Sequence, residues 1–180
     1  MKVIQDIDLS ILDSIHENLT NSFLDVIMPY ITAIADKGIL YIILAIVLIF
    51  IKRTRRYGIM LGTALLLGLI FGNLILKNVI ARPRPFSLTG TELLIPAPED
   101  FSFPSGHTMA SFETATVLFY ANRRAGTAMI ILASIVAYSR LYLYVHYPTD
   151  VLCGCVLGIL FGSTAILMYN LIEKKTIQKI

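Results

Sequence analysis

The chain has 180 residues, 56% of them hydrophobic and only 15% charged. A water-soluble globule carries nearer about 25% charge, so these proportions exclude an ordinary soluble domain and mark an integral membrane protein. The length allows a single domain over residues 1–180, and the net charge of +3 matters less than where the charges fall.

The first twenty residues hold Asp6, Asp8, Asp13 and Glu17 without a basic start or a short apolar core, which is not the pattern of a cleavable signal. Ile4, Ile7, Ile11, Leu12, Ile15 and Leu19 recur at helical spacing against Asp8, Asp13, His16 and Glu17. This predicts an amphipathic surface helix over residues 1–20, lying on the membrane or packed on the bundle, with His16 solvated. Residues 21–36 and 38–51 are each short for a span of about 20 residues. They read as two short transmembrane helices joined by a tight turn at Asp36-Lys37-Gly38, since one helix through it would bury both charges in hydrocarbon. The cluster Lys52 to Arg56 ends the second.

Clearer spans follow over 57–80, 105–121, 125–143 and 149–172, so the expectation is an all-α membrane protein with a six-helix bundle over 21–172. Residues 86–103, with Pro96, Pro98, Glu99 and Asp100, form its one long loop. Gly154, Gly158 and Gly162 recur every fourth residue in the last span, and Gly58, Gly62, Gly68 and Gly72 mark the third, spacings that let membrane helices approach closely. Cys153 and Cys155 point to different sides of a helix and read as small buried hydrophobes, not as a disulfide.

Lys and Arg collect in short cytoplasmic loops. Six spans put the 52–56 cluster, Arg123-Arg124 and Lys174, Lys175 and Lys179 on one side. Both termini are then cytoplasmic, and the 86–103 loop is extracytoplasmic. The outer side keeps Lys37, Lys77, Arg82, Arg84 and Arg140. Lys77 and Arg84 close the third span, Pro104-Ser105-Gly106-His107 opens the fourth, and Arg140 and His146 bracket the turn before the sixth. Three cations, two helix N-termini and a glycine that admits close backbone approach make an anion site suited to phosphate. A neutral His146 can attack phosphorus if Asp150 holds its other ring nitrogen, and His107 can protonate the departing oxygen. Glu92, Glu99 and Asp100 are scattered, so no acidic cluster suits magnesium, and neither metal nor other cofactor is expected.

Taken singly, Lys77 and Arg84 read as snorkelling cations and His146 and Asp150 as interfacial residues; together on one face they would be five coincidences. Arg82 reads as a headgroup contact or interface anchor. Tyr138, Tyr142, Tyr144 and Tyr147 read as headgroup-level anchors. Glu113 reads either as a partner for a loop residue or as a buried protonated group.

Lys77-x6-Arg84-Pro85, Pro104-Ser105-Gly106-His107 and Ser139-Arg140-x5-His146-x3-Asp150 resemble the three-part signature of the type-2 phosphatidic acid phosphatase superfamily. The resemblance implies His146 as a nucleophile forming a phosphohistidine, Asp150 as its orienting acid, His107 as general acid, and phosphate binding by Lys77, Arg84, Ser105, Gly106 and Arg140, without metal. It implies a plasma-membrane lipid phosphatase, and the outward site set by the charge bias favours undecaprenyl pyrophosphate, with phosphatidylglycerophosphate or phosphatidic acid as the alternatives. The implied partners are that lipid and the bilayer, not nucleic acid; the oligomeric state stays open. A non-hydrolytic lipid-phosphate transporter or binding protein, and a phosphotransferase, are the readings from other classes.

Overall fold

The computed structural model describes residues 2–178, and within them every regular element is helical. Helix α1 (Lys2–Leu19) leads to α2 (Ser22–Ile34), a 3-10 turn (Asp36–Gly38) and α3 (Ile39–Phe50). Helix α4 (Arg55–Leu67) continues through a π-helical stretch (Gly68–Leu76) into α5 (Lys77–Ile80). The short α6 (Pro85–Thr89) precedes the loop, and α7 (Gly106–Ala121), α8 (Arg123–Tyr142) and α9 (Pro148–Ile177) complete the chain. Four stretches, Ser22–Phe50, Arg55–Thr89, Arg123–Tyr142 and Pro148–Thr176, are long and apolar enough to cross a membrane.

Helix α7 is the centre of the packing: α8 and α9 flank it and α4 lies across it. Glycines set that closeness. A Cβ on Gly154 would sit 2.7 Å from the Ser105 carbonyl oxygen, and one on Gly158 would sit 2.5 Å from that of Met109. The predicted row of small residues therefore seats α9 directly on the helix that opens with Ser105.

The path through Asp36-Lys37-Gly38 differs from expectation. The helix does break there, with Lys37 and Gly38 at φ of 49° and 66°, a conformation glycine adopts at little cost. The break bends the chain without folding it back. Asn21 donates its N–H to Tyr142 Oη at 3.2 Å, Thr32 meets Arg140, and Asp36 faces His107. Helix α2 thus stays at the end of the bundle that carries these residues, and α3 then runs to the other end, packed on α4 rather than on α2. At that far end Tyr57 and Tyr120 meet edge to face, and Tyr120 bonds Asn170.

Among the described residues the chain accordingly passes between the two ends of the bundle five times, where six were expected, through α3, α4–α5, α7, α8 and α9. With an odd number of passes, the described residues begin and end at opposite ends of the bundle. Asp8 of α1 accepts the Thr149 N–H at the start of α9, while α9 runs away from that point to Ile177. The clusters 52–56, Arg123-Arg124 and Lys174-Lys175 still share the far end; Lys179 lies outside the described residues.

Helix α1 is amphipathic, but its inward stripe is not the predicted one. Asp8 and Leu12 are buried, whereas Val3, Ile4, Ile7 and Ile11 face outward. Asp8 turns inward because it pairs with Arg82, and Ile4, Ile7 and Ile11 are left exposed.

Candidate active site

Three local devices present the site residues. Ala81 ends α5 in the left-handed region, at φ 47°. Arg82 and Arg84 each precede a proline, which drives a residue out of helical backbone into the extended form; Arg84 adopts φ −77°, ψ 153°. The strap Arg82-Pro83-Arg84-Pro85 therefore crosses the end of the bundle with both guanidinium groups turned inward, and Arg84 is buried.

The second device is the start of α7. The Ser105 N–H donates to the Asp150 carbonyl oxygen at 3.1 Å, and its hydroxyl pairs with Thr108 Oγ1 at 2.9 Å. A Cβ on Gly106 would stand 2.8 Å from Asn73 Oδ1, the tip of a side chain on the π-helical stretch, so α7 starts in close contact with that stretch. His107 follows, its Nε2 3.8 Å from Asp36 Oδ1.

The third is the turn from α8 to α9. Tyr144 stands there at φ 57°, a strained setting for a side chain of its size. Its hydroxyl donates to Asp13 at 2.5 Å, and His16 meets its ring edge-on. Behind it His146 and Asp150 are buried. Asp150 Oδ2 accepts the Tyr147 N–H at 3.0 Å and the Ser102 hydroxyl at 2.5 Å, and lies 3.5 Å from His146 Nδ1. Arg84 Nη1 reaches His146 Nε2 at 3.2 Å and the Val145 carbonyl oxygen at 2.6 Å. A guanidinium only donates, so Nε2 carries the lone pair and Nδ1 the proton, directed to Asp150. The electrostatics agree: burial first, then the positive charges of Arg84, Arg140 and Lys77, hold His146 well below its ordinary pKa in the neutral form.

Lys77, Arg84, Gly106, His107, Arg140 and His146 line one cavity of about 1110 Å³. Ser105 and Asp150 stand behind that wall, Ser105 against the Thr108 hydroxyl of α7 and Asp150 against His146. All eight residues predicted for the site are thus at one end of the bundle, and both histidines face the same space. The cavity continues from this cationic head between α3 and α4, along Ile42, Ile46, Leu65 and Leu66. Ile42, Ile46 and Leu66 are also about half exposed, so the groove opens sideways.

Several residues in the site are ones that motif spacing passes over. Asp100, from the long loop, bridges Lys77 Nζ and Arg84 Nη2 at 2.5 Å each. Burial pushes its carboxyl up, but the hydrogen bonds and charges of Lys77 and Arg84 outweigh this and hold it at about 2. Arg82 is not a headgroup anchor. It pairs with Asp8 and with Asp150 at 2.7 Å each and lies 3.7 Å over the Tyr147 ring. The tyrosines are also corrected: Tyr142, Tyr144 and Tyr147 are buried, with Tyr142 bonded to Asp25 and Tyr144 to Asp13. Cys153 and Cys155 are free thiols and half-buried. Glu113 is buried beside Gly68 with Oε1 unpaired, and among the described residues no hydrogen bond joins it to the loop.

A cationic pocket around a buried histidine, continuing into an apolar groove, is the arrangement a membrane phosphatase needs. Residues 56–175 match the PAP2 superfamily, and the chain belongs to that family. It is 34% identical over 142 residues to the undecaprenyl-diphosphatase BcrC of Bacillus subtilis, covering 79% of this chain and 73% of that one. It is 41% identical over 116 residues to an undecaprenyl-diphosphatase of Sulfolobus acidocaldarius, 63% of this chain and 55% of the relative. The crystal structure of Aquifex aeolicus LpxE superposes with a TM-score of 0.78 at 28% identity, over 89% of this chain and 94% of that one. A PAP2-type phosphatidylglycerolphosphate phosphatase from Bacillus subtilis gives 0.77 at 23% identity over 97% and 88%, a likeness of fold.

Proposed function

We propose that this protein hydrolyses a polyprenyl diphosphate, undecaprenyl diphosphate foremost, to the monophosphate and inorganic phosphate at the extracytoplasmic face of the plasma membrane. The supporting observation is the setting of His146: its Nε2 faces the cationic cavity beside Arg84, and its Nδ1 faces Asp150. The groove between α3 and α4 suits an isoprenoid tail, and the relatives named undecaprenyl-diphosphatase support that substrate over a phospholipid. The basic clusters at the opposite end support an outward site by charge bias.

In this reading the terminal phosphate rests among Lys77, Arg84, Arg140 and the first N–H groups of α7 at Gly106, with Ser105 fixing that helix start. His146 Nε2 attacks the terminal phosphorus, the bond to the bridging oxygen breaks, and His107 gives that oxygen its proton. Asp150 steadies the charge that builds on the imidazole, and the three cations meet the charge on the equatorial oxygens. Water, deprotonated by His107, then attacks phosphorus, frees His146 and releases phosphate. In this reading each role falls to a side chain or a backbone N–H of the protein and none to a metal.

The test is phosphate release from the detergent-solubilised protein in excess EDTA, on undecaprenyl diphosphate, phosphatidylglycerophosphate and phosphatidic acid side by side. The expected result is undiminished turnover with the diphosphate fastest. A faster phospholipid would overturn the substrate, and activity restored only by added divalent cation would overturn the metal-free chemistry.

A further inference from the structure

The site holds an anion of its own. Asp100 presents one carboxylate oxygen to Lys77 and the other to Arg84, and its backbone carbonyl oxygen accepts the Arg84 Nε–H at 2.8 Å. The Arg84 nitrogen beside the one that touches His146 Nε2 is thus taken up by Asp100. A phosphate placed for attack by that Nε2 needs these same donors, because two non-bridging oxygens ask of Lys77 and Arg84 what a carboxylate asks. Asp100 is also the one member of this cluster that can leave. Its side chain is 54% exposed, against 9% for Lys77 and 5% for Arg84. It stands on the loop, and its bond through the backbone carbonyl survives any rotation of the carboxylate.

We propose that Asp100 is an intramolecular competitor of the substrate: its carboxylate and the transferred phosphate are alternative ligands of Lys77 and Arg84. It swings out as the lipid phosphate docks and returns as inorganic phosphate departs. It thereby lowers the affinity of the site for its own product and keeps two buried cations from holding phosphate after turnover. This deepens the phosphatase reading and rests on it. The alternative is that Asp100 is a brace that holds Lys77 and Arg84 in position. The two roles predict opposite signs: losing a competitor tightens phosphate binding, whereas losing a brace weakens it.

The experiment measures binding of inorganic phosphate to the full-length protein in detergent, by titration calorimetry without any lipid substrate. It compares the unmodified chain with Asp100→Asn, Asp100→Ala and Asp100→Glu. Glu99→Gln is the control for general loop charge, since Glu99 also lines the cavity but makes no ion pair among the described residues. Asn and Ala are expected to tighten phosphate binding about tenfold, Glu to stay near the unmodified value, and Glu99→Gln to change nothing. Inhibition of turnover by phosphate should follow the same order. Binding that is unchanged or weaker in both Asn and Ala overturns the proposal, as does an equal gain from Glu99→Gln. Because binding is read without turnover, this failure is distinct from failure of the hydrolytic reading, which the lipid assay decides.

Discussion

Replacing Asp150 with Asn should separate catalysis from folding in this protein. The carboxylate accepts from Ser102 and the Tyr147 N–H on one oxygen and from Arg82 on the other, next to the His146 Nδ1–H. An amide has a single acceptor oxygen for these two sets. Either its NH2 faces Arg82, or it faces Ser102, Tyr147 and the imidazole and drives the proton onto Nε2. Each orientation leaves a buried donor unpaired, at about 1–3 kcal/mol of stability. The loss is not larger, because Arg82 keeps Asp8 at 2.7 Å and is not orphaned.

The catalytic loss is expected to be bigger. A full charge at 3.5 Å in an effective dielectric of about 20 gives roughly 5 kcal/mol for the cation that forms on His146. Arg82 and Ser102 share that carboxylate, so about 3–4 kcal/mol remains, or two to three orders of magnitude in kcat. KM should change little, since Asp150 does not line the cavity. Phosphate release on the lipid diphosphate gives kcat and KM, and thermal unfolding in detergent gives stability. A kcat within about threefold of the unmodified protein, or loss confined to KM, would refute the reasoning.

Three more outcomes follow from the same contacts. Arg82→Leu leaves Asp8 and Asp150 buried without their cation; unfolding should shift by about 3–5 kcal/mol, and adding Asp8→Asn should return part of it. His146 is held below the ordinary 6.5, so the acid limb of kcat/KM should lie below that value. Only the unfolded chain takes up its proton near 6.5, so stability should fall as pH drops through 6.5 more steeply than in His146→Gln. Gly158→Ala drives a methyl into the Met109 carbonyl oxygen and should cost about 1–3 kcal/mol in thermal unfolding, whereas Gly62→Ala meets nothing within 4 Å and should leave it unchanged.

Hydropathy placed the helices well, because apolar periodicity and basic clusters are local properties. It misread the path at Asp36-Lys37-Gly38 because a bend and a reversal use the same residues, and only the docking of Met28 and Thr32 on the α8 end tells them apart. The site was legible wherever a residue type is constrained by chemistry at fixed spacing, as for Lys77, Arg84, His107, Arg140, His146 and Asp150. Asp8, Arg82, Asp100 and Ser102 escaped for one reason. Each acts on a partner 16 or more residues away, so nothing in the local pattern distinguishes them from solvated charges or a loop hydroxyl. The prolines after Arg82 and Arg84 were the available signal, since they forbid the helix that would have carried both side chains outward.

The proposed hydrolysis turns on a covalent bond between phosphorus and His146. Rapid quenching of the solubilised enzyme during turnover of a terminally labelled lipid diphosphate should yield protein-bound phosphate that is stable to alkali and lost in acid, mapped to His146 and absent from His146→Ala. Steady turnover without any such label, or a labelled and active His146→Ala protein, would contradict it.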